Sequence, residues 1–132
     1  MKDEERQQLI RDLRQYIAPD DIIMGMLFYC KRELLPYNVE KIHRSVYEVK
    51  RKYPQLLKDF SFSRNDVYPF SKLLERVLFN LCVSDLIKIG DSYLQIPPES
   101  KQYIQENVLP LFKEEQREQL KLMGELFEQN IE

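Results

Sequence analysis

The amino-acid sequence predicts a mainly α fold with a small antiparallel β element, an α+β chain. Apolar residues recur at three- and four-residue intervals along most of its length, as amphipathic helices require. Two short runs, residues 86–89 and 92–96, flank Gly90-Asp91 as the strands of a tight hairpin would. Seven prolines, most of them between apolar stretches, punctuate the elements.

The first helix is expected over residues 3–17, where Leu9, Leu13 and Ile17 make one stripe with Ile10 and Tyr16 beside it. Ala18-Pro19-Asp20 ends it. Asp20 is expected to cap a second helix whose Ile22, Ile23, Met26, Leu27 and Cys30 give a broad apolar face, so this helix should be central to the core. Leu35-Pro36-Tyr37 breaks it. Asn38 then caps a third helix in which Val39, Ile42, Val46 and Val49 repeat at helical spacing, and Tyr53-Pro54 closes it. Beyond a linker at 55–59, Phe60-Ser61-Phe62-Ser63 alternates apolar and polar residues as a half-buried strand does.

After the loop from Arg64 to Tyr68, Pro69-Phe70-Ser71 starts the next helix. Ser71 is placed to accept from first-turn amides, and Glu75 lies near the positive end of the dipole. Leu73, Leu74, Val77, Leu78, Leu81 and Cys82 form two adjacent rows, leaving Lys72, Glu75, Arg76 and Asn80 outward. The hairpin follows, with Gly90 expected to supply a positive φ. Pro97-Pro98 stops its second strand, Glu99 or Ser100 opens another helix, and Pro110 breaks that helix near Leu109. The last segment, from Leu111 to about Glu128, carries Leu120, Met123 and Phe127 on one stripe and Leu122 and Leu126 on a second. Two stripes exceed what a small core needs, so Leu120, Met123 and Phe127 are expected to pair with a second copy in a homodimer, the alternative being packing back over the N-terminal helix. This order of elements is the backbone plan of a winged helix with an N-terminal helix and a C-terminal helical extension.

With 132 residues, 43% hydrophobic and 32% charged, the chain is expected to be one domain over 1–132, its core about 20–98 and its C-terminal helices 99–130. The N-terminus has no apolar signal region, and the longest hydrophobic run, residues 22–30, is too short to span a bilayer. A cytoplasmic protein with no membrane partner is therefore expected. Cys30 and Cys82 sit among apolar residues and should be reduced core residues. With His43 they are too few for a four-ligand zinc site, so neither a metal nor a cofactor is expected.

Charge is unevenly placed. The whole chain carries −2, but residues 31–76 hold eleven basic and six acidic residues, net +5, between acidic ends of −2 and −5. A basic centre suits a face that meets phosphates. On this reading Lys72, Arg76 and Asn80 lie closest to base edges or phosphates of DNA, while Lys50, Arg51, Lys52, Lys58 and Arg64 supply backbone charge. The competing reading is a protein partner, bound through aromatic residues near Tyr37, Tyr47, Tyr53, Tyr68 and Phe70, although Tyr53 and Phe70, with Phe60 and Phe62, are expected to fill or flank the core. Catalysis fits poorly. Three glycines make no phosphate loop, no serine or cysteine sits in a nucleophile turn, and Glu40 and His43, three apart, read as surface chemistry.

At Phe60-Ser61-Phe62, Pro69-Phe70-Ser71, Leu73-Leu74, Val77-Leu78, Leu81, Leu86-Ile87 and Tyr93-Leu94-Gln95-Ile96 the chain resembles bacterial winged-helix-like proteins of the Panacea and related uncharacterised types, over about residues 20–110. In that family an aromatic strand leads through a turn into a Pro-Tyr/Phe-Ser helix start, and the helix ends in a Gly-Leu-Ile-like strand. Here Tyr68 stands where a glycine often precedes the proline, and Ser84-Asp85 replaces the glycine that turns the helix into the first wing strand. The resemblance implies an antitoxin-like protein or accessory regulator with no catalytic residues. The expected function is a winged-helix, DNA-binding regulator, with a protein-binding antitoxin or accessory subunit as the alternative.

Overall fold

The computed structural model describes Glu5, residues 16–63 and residues 67–132. The helix expected over 3–17 and the candidate Arg64 lie outside the described residues, apart from Glu5, Tyr16 and Ile17. The described chain is mainly helical with one three-stranded antiparallel sheet. Its elements are α1 (Pro19–Phe28), β1 (Leu34–Pro36), α2 (Val39–Lys52), α3 (Lys72–Val83), β2 (Lys88–Ile89), β3 (Tyr93–Gln95), α4 (Pro98–Asn107), a 3-10 turn (Leu109–Leu111) and α5 (Glu114–Ile131).

The helix starts are set by local chemistry. In α1 the cap is Ala18 rather than Asp20. Pro19 takes the first helical position, where its missing N–H costs nothing, and the Asp21 carboxylate accepts from the Ala18 N–H at 2.9 Å. Six consecutive residues of α1, Ile22 to Leu27, are buried, which places this helix at the centre of the core as expected. Asn38 caps α2 by accepting from the Lys41 N–H at 2.7 Å. Ile42, Val46 and Val49 are buried, whereas Val39 at the entrance is 39% exposed.

The sheet has the order β1-β3-β2. The expected hairpin forms, with Lys88 opposite Gln95 and Ile89 opposite Leu94. Its other neighbour is β1, which pairs Leu34, Leu35 and Pro36 with Gln95, Leu94 and Tyr93. That segment reads in the sequence only as a helix break. Its proline is tolerated because β1 is an edge strand. Gly90 does not have a positive φ. Instead the Tyr93 ring lies where a side chain at position 90 would begin, its Cε1 against the place a Cβ would take.

Residues 60–63 do not form the expected strand. They make a single bridge, Ser63 to Phe70, and the Phe60 carbonyl accepts from the Lys50 ammonium at 2.6 Å. Alternation predicts a half-buried segment, and Phe60 is indeed fully buried, but among the described residues no neighbouring strand completes a ladder.

The end of α3 explains the absent glycine. The Asp85 N–H donates to the Cys82 carbonyl and the Leu86 N–H to the Leu81 carbonyl, at 3.0 and 2.9 Å, the paired bonds of a Schellman cap. Asp85 itself carries the left-handed conformation, φ 61°. Asp85→Gly is expected to raise stability by about 0.5–1 kcal/mol, because relief of the left-handed strain exceeds the added freedom of the unfolded chain. An unchanged or lower urea midpoint contradicts this.

At the C-terminal end, α4 starts at Pro98, with Pro97 as its cap, slightly before the expected Glu99 or Ser100. Pro110 breaks the chain as expected, but the break extends through the 3-10 turn to Lys113, so α5 begins at Glu114 rather than Leu111. The Arg117 guanidinium donates to the Phe112 and Leu109 carbonyls at 2.7 and 3.3 Å and holds this corner. Helix α5 packs against α1 and α2. Leu120, Met123 and Phe127 are each 0% exposed inside the chain's own core, which corrects their assignment to a dimer seam. Their stripe has a partner within the same chain, and of the apolar pair on the second stripe only Leu122 is largely exposed, at 48%.

Glycines let α1 and α5 approach. A Cβ at Gly124 would lie 2.6 Å from the Met26 carbonyl oxygen, and one at Gly25 would lie 2.8 Å from Leu120 Cδ1. Cys30 is buried in this layer, and burial pushes its thiol up to about 12, with Glu128 adding to the rise and Lys101 opposing it.

Candidate nucleic-acid interface

Helix α3 presents the candidate surface. Leu74, Val77, Leu78 and Leu81 bury one side of it. Lys72, Arg76, Phe79, Asn80 and Val83 are exposed on the other, within one stripe of the helix. Ser71 sets where the helix begins. It is fully buried, its hydroxyl accepts from the Leu74 N–H at 3.1 Å, and its own N–H donates to His43 Nδ1 at 3.0 Å.

His43 is the residue that sequence reasoning misplaced. Far from surface chemistry with Glu40, it is 0% exposed, and Glu40 pairs with Arg44 at 3.4 Å. Because Nδ1 accepts from Ser71, the ring hydrogen sits on Nε2, which donates to the Glu75 carboxylate at 2.8 Å. The imidazole stacks on Phe70 with ring centroids 4.4 Å apart and planes 13° from parallel. The signal was its position beside Ile42 and three residues before Val46, on the edge of the apolar stripe of α2.

This contact changes the electrostatics of α3. Glu75, expected to project from the presented face, is instead directed to His43 and keeps 41% side-chain exposure. The exposed residues of α3 thus include two cations, with the Glu75 carboxylate turned aside to His43 while still partly exposed. On the far flank, Asn80 Nδ2 lies 3.5 Å from Asp20 Oδ2 at the start of α1. Tyr37 is half-buried near Glu75. Burial raises its phenol above the ordinary value, and Glu75, Cys82 and Tyr68 add to the rise.

The other candidate cations divide. Lys50 and Arg51 flank Phe62 from the last turn of α2, in a shallow groove completed by Tyr47 and Pro54. Lys72 flanks the same ring from the start of α3, in an adjoining groove that also includes Asp59 and Phe70. Lys50 is committed within the fold through its bond to the Phe60 carbonyl, and its ammonium stands 6.0 Å from the Phe62 ring centre. It anchors the 53–60 turn rather than supplying an unpartnered phosphate contact. Arg51 shares its charge with Glu48 at 3.4 Å. Lys52 lies over Tyr53, 5.7 Å from the ring centre. Lys58 is exposed but lines a different groove, with Ile17, Gln55, Gln116 and Gln119 among its neighbours.

The structure therefore keeps Lys72, Arg76 and Asn80 on one side of α3, with Lys50 and Arg51 across the Phe62 ring from Lys72, while Lys58 stands apart. Tyr37, Tyr47, Tyr53, Tyr68 and Phe70, the aromatic residues of the competing reading, are all half-buried. No group of three or more His, Cys, Asp or Glu among the described residues could hold a metal ion, and among them no helix is long and apolar enough to cross a membrane. No family model matches the chain, no curated protein matches it, and no solved structure matches it.

Proposed function

We propose that this chain is a non-enzymatic, winged-helix-type recognition module that binds duplex DNA, with α3 as the helix that enters the major groove. The chain order α1-β1-α2-α3-β2-β3 and the sheet order β1-β3-β2 support the winged-helix reading, with the 88–95 hairpin as the wing. The observation that carries the functional reading is the composition of the α3 stripe. Lys72 and Arg76 are exposed together, and the one acidic side chain of α3, Glu75, is engaged by buried His43.

In this reading Arg76 reaches base edges or phosphates, Lys72 and Arg51 neutralise backbone phosphates, and Lys88 on the wing touches the duplex from the side. The −2 net charge favours a focused contact over indiscriminate coating. An antitoxin-like or accessory role, in which a protein occupies the same face, is the alternative that the likeness to Panacea-type proteins brings.

Fluorescence anisotropy with a labelled duplex tests the proposal. Neutralising two or three phosphates should make affinity fall about tenfold or more between roughly 50 and 200 mM salt. Binding that is absent at low salt, or indifferent to salt, contradicts a duplex ligand.

A further inference from the structure

The presented stripe of α3 changes character along its length. Its N-terminal half is cationic, whereas Phe79 and Val83, one turn apart in its C-terminal half, are each 67% exposed. Two such side chains cover far less than the roughly 800 Å² per partner that a stable protein interface buries. Standing on the same stripe as Lys72 and Arg76, they suit a small apolar group carried by a polyanion. The major groove of a duplex presents one such group, the 5-methyl of thymine.

Resting on the duplex-binding reading above, we infer that Phe79 and Val83 contact thymine methyl groups, so that the protein selects duplexes with thymine at fixed positions facing the C-terminal half of α3. The spacing is suitable. Four residues of helix advance about 6 Å along its axis, close to the separation of bases one or two steps apart at about 3.4 Å per step. Asn80, on the same side, is near Asp20 of α1, and Phe79 and Val83 are the exposed apolar residues of this half.

The test selects duplexes from a random pool with the full chain, then replaces each thymine singly with deoxyuracil, which removes only the methyl group. At one or two positions affinity should fall about fourfold, the worth of one buried methyl-sized group. That sensitivity should vanish at one position in Phe79→Ala or Val83→Ala, both of which should melt at the wild-type temperature because the side chains face solvent. Selected duplexes indifferent to every replacement, or a sensitivity unchanged in both variants, overturn the methyl contact while leaving duplex binding intact. A pool from which no duplex is retained overturns both.

Discussion

Gly124→Ala is expected to destabilise the protein by about 3 kcal/mol. The new Cβ would meet the Met26 carbonyl oxygen at 2.6 Å and Tyr29 Cβ at 2.9 Å, and the first of these is backbone of the central helix α1. Backbone cannot rotate aside as a side chain can, so α5 must shift and loosen Leu120, Met123 and Phe127, all at 0% exposure. The gain in helix propensity from glycine to alanine, about 1 kcal/mol, offsets only part of this cost. Gly25→Ala is the matched comparison. Its Cβ meets only the end of the Leu120 side chain, at 2.8 Å, and a rotamer change relieves it, so the loss there should be near 1 kcal/mol or less. Urea denaturation of both variants checks the pair, and equal losses contradict the close helix crossing.

His43→Phe should cost about 2–3 kcal/mol. Phenylalanine keeps the stack on Phe70 but removes both hydrogen bonds of the imidazole. The larger part of the loss comes from the Ser71 N–H, whose residue is 0% exposed and which is left without an acceptor. Glu75, with 41% of its side chain exposed, recovers hydration and contributes less. The same variant releases the Glu75 carboxylate toward the cationic stripe, so duplex affinity should also fall. Adding Glu75→Gln should restore affinity without restoring stability. Recovery of both together, or of neither, would separate His43 from the electrostatics of α3.

Much of the fold can be read from local chemistry. Asn38 and Ser71 act as caps because each has a side-chain oxygen placed before an apolar-periodic run, and the buried rows of α3 follow from their spacing. What escaped reading depends on partners distant in sequence. β1 is three residues long with a proline, too short for alternation to show, and becomes a strand only because β3 lies beside it. Phe60 to Ser63 alternates correctly yet has no such neighbour among the described residues. The stripe of Leu120, Met123 and Phe127 announces that it will be buried, but periodicity does not say whether the same chain or another copy covers it.

The candidate site was legible to a similar degree. Lys72, Arg76 and Asn80 stand outward on α3 because a helix with two buried rows must leave its opposite side to solvent. The roles of Lys50, Arg51 and His43 depend on contacts made across turns and between helices. A cluster of cations in sequence became one anchor, one shared ion pair and one separate groove once the 53–60 turn folded back on α2.

The presented stripe of α3 is most directly tested by moving the same charge at two places. Lys72→Glu with Arg76→Glu alters that stripe, whereas Lys113→Glu with Lys121→Glu makes the same change in net charge on exposed positions at and along α5. Duplex binding, measured by anisotropy at one low salt concentration with folding checked by circular dichroism, should weaken about 100-fold for the first pair and less than about threefold for the second. Equal losses for the two pairs would contradict a DNA contact made through α3.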